Sequence, residues 1–131
     1  MANWDEINNA FSTKLSAEWV TTDIAWDNVP YEPTDDSEWV RATLIPVTTE
    51  NASLADSVKH FGIYSIQIFV PLQAGSGRAY ELATSLEAMF ANTQFSEVVC
   101  YTAETTRTGD DGTGWYQLNV NINFWSYERN I

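Results

Sequence analysis

The chain has 131 residues, 44% of them hydrophobic and 14% aromatic, which is enough for one core and far from the composition of a disordered segment. Eighteen acidic residues against six basic ones leave a net charge of −12 at pH 7, and so negative a surface excludes tight nucleic-acid binding, which needs Lys and Arg to displace counterions. Cys100 is the single cysteine, which excludes an intrachain disulfide and reads as a small buried hydrophobe.

Met1–Glu6 contains neither a basic region nor an apolar stretch, so export through a cleaved signal is not expected. The longest apolar run, Ile63–Leu72, is interrupted by Ser65 and Gln67 and falls short of the roughly 18 residues that a membrane span requires. One domain over residues 1–131, with no membrane segment, is the expectation.

Asn3 and Glu6 have the spacing of a capping box and predict a first helix. Trp4, Ile7, Phe11 and Leu15 form its apolar stripe. Ile24–Asp27 reads as a short strand ended by Asn28-Val29-Pro30, followed by an irregular acidic connection from Pro33 through Ser37. A second strand alternates over Trp39–Ile45 and is expected to stop at Pro46, with residues 47–58 as a long polar hairpin loop. Phe61–Val70 alternates most clearly among the early segments, and Pro71 closes it. After Gly75-Ser76-Gly77, the stripe Ala79, Leu82, Ala83, Leu86, Met89 and Phe90 predicts a second helix ending near Asn92. Glu97–Tyr101 reads as a fourth strand, and Gly109–Gly114 as an acidic turn into a fifth strand of strict alternation over Trp115–Trp125.

These elements predict an α+β fold: a mixed, mostly antiparallel sheet of about five strands with two helices packed on one face. Five strands at about 4.8 Å spacing are roughly 24 Å wide, so two helices cover one face and leave the other bare. On that second face the three long strands carry one clear charge, Arg41. The rest is Trp, Ile, Phe, Thr, Ser, Gln and Asn, closer to an interface core than to solvated surface. Trp39, Arg41, Trp115, Trp125 and Tyr127 are the candidate interface residues, joined by Arg78 at the start of the second helix.

Catalytic constellations are thin. His60 is the single histidine, and a zinc site or triad would have to draw on Asp56, Ser57 or Cys100 around it. Gly75-Ser76-Gly77 sits where a phosphate cradle would, yet no Gly-Lys-Ser/Thr follows and Tyr80 occupies the third glycine position of a dinucleotide fingerprint. Asp35-Asp36 and Asp110-Asp111 are paired carboxylates of the kind that solvated turns carry, with no EF-hand spacing around them. No catalytic, cofactor-binding or metal-binding set is assigned. The enzymatic alternative is a small acidic cation-dependent hydrolase using Asp110, Asp111 and His60.

The order of landmarks resembles the tail-terminator-like family of tailed bacteriophages. It comprises the N-terminal amphipathic helix, Ala25-Trp26-Asp27-Asn28-Val29-Pro30-Tyr31 with Pro33 behind it, Trp39-Val40-Arg41, and Phe61-Gly62. The proline and Gly75-Ser76-Gly77 before the second helix follow, then Gly114-Trp115-Tyr116-Gln117. The resemblance implies a non-enzymatic virion protein that assembles as a six-membered ring at the head-proximal end of the tail, after folding in the host cytoplasm. Its implied partners are further copies of itself, the tail tube protein and a head–tail connector protein, with DNA only as cargo through a channel. Another neck or head–tail connector component is the alternative within the same class.

Overall fold

The computed structural model describes residues 3–33, 37–51, 57–72, 76–110, 112 and 114–129. Helix α1 (Trp4–Glu18) is followed by strands β1 (Asp23–Trp26), β2 (Trp39–Asn51) and β3 (Ser57–Pro71), helix α2 (Ser76–Phe90), and strands β4 (Gln94–Phe95), β5 (Val98–Asp110) and β6 (Trp115–Arg129). The strands form one sheet in the order β1-β2-β3-β6-β5-β4. Among the described residues only the β1–β2 pair is parallel.

The capping box closes as its spacing predicts. The Glu6 amide donates to Asn3 Oδ1 at 2.9 Å, and the Asn3 amide donates to Glu6 Oε1 at 3.1 Å, so two orphan donors of the first turn are satisfied. The stripe Ile7, Phe11 and Leu15 is buried, as are Ala79, Leu82, Ala83, Leu86 and Phe90 of α2. Both helices pack on the sheet face that carries Val40, Ala42, Tyr64, Ile66, Ile68, Val70, Leu118, Val120, Ile122 and Phe124. Phe11 sits at the centre, stacked on Tyr64 at 4.2 Å and edge-on to Phe124 at 4.9 Å and Phe95 at 5.1 Å. Gly62 makes room for this cluster: a Cβ there would lie 2.7 Å from the Phe124 ring and 2.9 Å from the Ile45 carbonyl oxygen.

The α+β class and the two helices on one face are as expected, but the sheet has six strands, because Gln94–Phe95 adds a short edge against Val98 and Val99. Pro46 does not end β2. The strand runs on to Asn51 past a bulge between Pro46 and Thr48, so residues 47–51 and 57–58 of the predicted loop are strand, and its residues 52–56 lie outside the described residues. Beyond Ala42 no strand among the described residues flanks β2 on its outer side, and at such an edge a proline need cost no ladder bond. The fourth strand also outruns its expected end at Tyr101: β5 extends to Asp110, so Gly109 and Asp110 belong to the ladder opposite Gln117 and Tyr116. The additional segment is rich in threonine, whose branched side chain suits a pleated surface without an apolar alternation to announce it.

Candidate protein interface

Side chains alternate across the sheet, so the rows on the helix-free face follow from register. Trp39, Phe69 and Gln117 form one row; Arg41, Gln67 and Asn119 the next; then Thr43, Ser65 and Asn121; then Ile45, Ile63 and Asn123. Past the β2 bulge come Thr48, Phe61 and Trp125, and finally Glu50, Lys59 and Tyr127. Aromatic residues gather at both ends of this face, and uncharged polar residues fill the middle.

At the first end Trp39 stacks on Phe69 with ring centres 4.0 Å apart, meets Trp115 edge-on at 6.0 Å and leans on Tyr31 at 5.0 Å. The Arg41 guanidinium lies 5.5 Å from the Trp39 ring centre, a cation over the negative face of an indole. Trp39 is only 6% exposed, and its buried Nε1 has no hydrogen-bond partner among the described residues. The Tyr31 hydroxyl donates to Asp23 Oδ2 at 3.0 Å; partial burial, and then that carboxylate, hold its pKa above the ordinary value.

At the opposite end Lys59 Nζ lies 4.1 Å from the Trp125 ring centre, 5.2 Å from Phe61 and 5.6 Å from Tyr127. Three rings around one ammonium shield its stem while leaving Tyr127 47% exposed. Between the ends, Gln117 Nε2 donates to Asn119 Oδ1 at 2.9 Å, Asn119 Nδ2 to Thr108 Oγ1 at 3.1 Å, and Asn123 Nδ2 to Thr102 Oγ1 at 2.8 Å. Amide and hydroxyl groups here can pair with one another and still offer donors and acceptors to a neighbour.

The structure thus joins Trp39, Arg41 and Trp115 in one cluster and Trp125 and Tyr127 in another, eight residues along β3 and roughly 27 Å apart at the usual rise per residue. Arg78 belongs to neither. Its Nε donates to both Glu38 carboxylate oxygens at 2.9 and 3.0 Å, and its Nη1 donates to Glu81 Oε2 at 3.4 Å. The Glu38 hydrogen bond raises its pKa, and the contact ties the first turn of α2 to the entry of β2. The sequence pattern missed Lys59, Phe61, Tyr31 and Phe69 as members of these clusters. The alternation around each was visible, but the cross-strand register that brings them together was not.

Of the residues of the enzymatic alternative, His60 and Asp110 are not brought together. His60 is buried on the helix-covered face, 4.7 Å from the Trp4 ring with its Nδ1 2.8 Å from Thr49 Oγ1. Asp110 stands opposite Tyr116, ten residues from the Ser126 that faces His60, which is roughly 33 Å along β6. Asp35, Asp36, Asp56, Gly75 and Asp111 lie outside the described residues. Among the described residues no group of three or more His, Cys, Asp or Glu side chains could hold a metal ion. Cys100 is buried, and burial pushes its thiol up to about 12.

The profile of the family described as phage tail terminator protein matches residues 6–124 of this chain. The chain belongs to that family. Tail terminator membership makes it a phage tail protein of structural type, and among its described residues no helix is long and apolar enough to cross a membrane. A search of curated proteins finds no match. One solved structure, whose name states no function, superposes with a TM-score of 0.65 over 100% of this chain and 98% of that one, at 22% identity. At that identity the likeness speaks for the tail terminator chain's fold alone.

Proposed function

We propose that the chain forms a six-membered ring that caps the growing tail tube, stops its polymerisation and presents the surface on which the head joins. The observation that carries this reading is the family match over residues 6–124, in a molecule whose second sheet face carries no helix among the described residues. Beside Arg41, the one clear charge in the sequence pattern, that face also bears Glu50, Lys59 and Glu104 among uncharged side chains. The mechanism is geometric. Ring subunits occupy the positions where the next tube subunits would add, and no bond is made or broken. The aromatic clusters around Trp39 and Lys59 are the contact candidates, because large rings dominate interface energy where they are desolvated. Six copies would carry a formal charge of −72, and a negatively lined channel would let DNA pass without adhering.

The test is a polymerisation assay in which purified tube protein elongates with and without this chain, and tube lengths are scored by electron microscopy. Elongation should stop when the chain is added, with density capping one tube end. Tubes that grow unhindered while the chain binds portal-associated rings would move the assignment to another neck component.

A further inference from the structure

Among the described residues, both sides of the sheet end in long strand edges that no further strand covers. On one side β1 pairs only with Trp39–Ala42, leaving the outer edge of β2 open from Thr43 to Asn51. On the other, β4 pairs with Val98 and Val99, and the backbone of Asn92 and Thr93 reaches Tyr101 and Cys100. The outer edge of β5 is then open from Thr102 to Asp110. Each tract is nine residues, about 30 Å of backbone, and among the described residues neither has a strand on its outer side. Such edges are templates for another strand, and proteins that must stay apart blunt them with charged side chains, lysine above all, with proline or with bulges; here Pro46 and the bulges serve that end. Neither tract contains a lysine. The β2 tract exposes Ile45 at 42% and Val47 at 60%, and Thr102, Thr105, Thr106 and Thr108 of β5 favour strand geometry.

We infer that these two edges are each other's partners: β2 of one copy pairs with β5 of the next, extending one sheet from subunit to subunit. The inference rests on the ring reading above and says which surfaces close the ring. Three successive antiparallel pairings, β2 with β3, β3 with β6 and β6 with β5, make β5 run opposite to β2. Rotation about a ring axis preserves strand direction along that axis, so the intersubunit ladder is antiparallel. A second copy is the occupant because the chain itself supplies matched open edges on opposite sides. Pairing β2 with β2 across a two-fold axis would hide one edge and leave β5 bare, whereas a head-to-tail contact repeated around a closed ring hides both.

The strands also carry the devices that closure requires. Bulges at Pro46/Thr48, Cys100/Ala103 and Arg107/Gly109 bend and twist their strands, as curvature into a barrel demands. They also restrict continuous pairing to the stretches between them, Ala103–Arg107 on β5 and the segments either side of the break on β2, which opposes indiscriminate aggregation of the free protein.

The test blocks one edge at a time. Val47→Lys places an ammonium on the β2 edge and Thr106→Lys on the β5 edge, both at exposed positions; where either fails to fold by circular dichroism, Thr48→Lys or Glu104→Lys on the same edge replaces it. Native mass spectrometry is run under conditions in which the unaltered chain forms rings, alone or on purified tail tubes. Each variant alone should lose rings by about tenfold or more. An equimolar mixture should give a one-to-one dimer, joined through the free β5 of Val47→Lys and the free β2 of Thr106→Lys. Rings that persist in either variant, dimers of Thr106→Lys alone, or a mixture that stays monomeric would overturn the inference while leaving ring formation intact. An unaltered chain that makes no ring even on tubes would remove the ring reading itself, and this inference with it.

Discussion

The two faces of one sheet carry opposite burdens. Along β3, Tyr64, Ile66, Ile68 and Val70 are at most 1% exposed, while Ile63, Ser65 and Gln67, each one residue away, stay partly open. The strand, backbone pairing and register are shared, so the difference lies in what each face meets. One meets two helices and stores the apolar burial that holds the fold. The other meets no helix, and its middle is held by hydrogen bonds among Gln117, Asn119, Asn123 and the threonines of β5, which exchange readily with water or a partner. The buried apolar core and the open polar face are thus separated by a one-residue step along the chain.

That separation breaks if the two faces respond alike to truncation. Phe11→Ala removes the ring at the centre of the aromatic cluster and should cost about 3–5 kcal/mol in chemical denaturation. Asn121→Ala, on the open face, should change stability by less than about 0.5 kcal/mol. Comparable losses would mean that the open face supports the fold. Gly62→Ala comes next: its Cβ meets both the Phe124 ring and the Ile45 carbonyl oxygen at under 3.0 Å, and overpacking of this kind costs about 1–3 kcal/mol. Asn3→Ala removes one half of the capping box and should cost about 1 kcal/mol, read as earlier fraying of α1 by hydrogen exchange.

The smallest effect is silent at neutral pH. Burial raises the Cys100 thiol from 9.0 to about 12 and lifts the Tyr64 hydroxyl above its usual range. The folded chain therefore holds these protons more tightly than the unfolded one. Their contribution is complete below about pH 9 and is lost as pH climbs from there toward 12. Thermal midpoints should be insensitive to these groups at pH 7 and fall in the alkaline range, and Cys100→Val should flatten that fall. An unchanged alkaline slope would show that the thiol is not held inside the core.

Legibility in the sequence followed the same division. Wherever a strand or helix buries one side against the core, its period is written in apolar residues, and α1, α2, Phe61–Val70 and the last strand were readable from spacing alone. Thr48–Asn51 and Thr102–Asp110 have no core stripe to mark them, so ladder geometry holds them as strand without a hydrophobic alternation to betray it. The two-residue β4 is too short for any period. The site was readable as a face but not as clusters. Trp39 and Trp115 meet because Pro71 pairs with Trp115 and Phe69 with Trp39, and the three rings around Lys59 meet because Lys59 pairs with Tyr127 and Phe61 with Trp125. Pairings of that kind depend on which strands are neighbours, and no single strand's pattern contains it.

The ring is tested most directly by the mass of this 14.8 kDa chain mixed with purified tail tubes, measured by native mass spectrometry and by mass mapping in the electron microscope. A closed assembly of six copies seated at one end of each tube is the expected result. A chain that remains a single copy, leaving both tube ends bare, would contradict it.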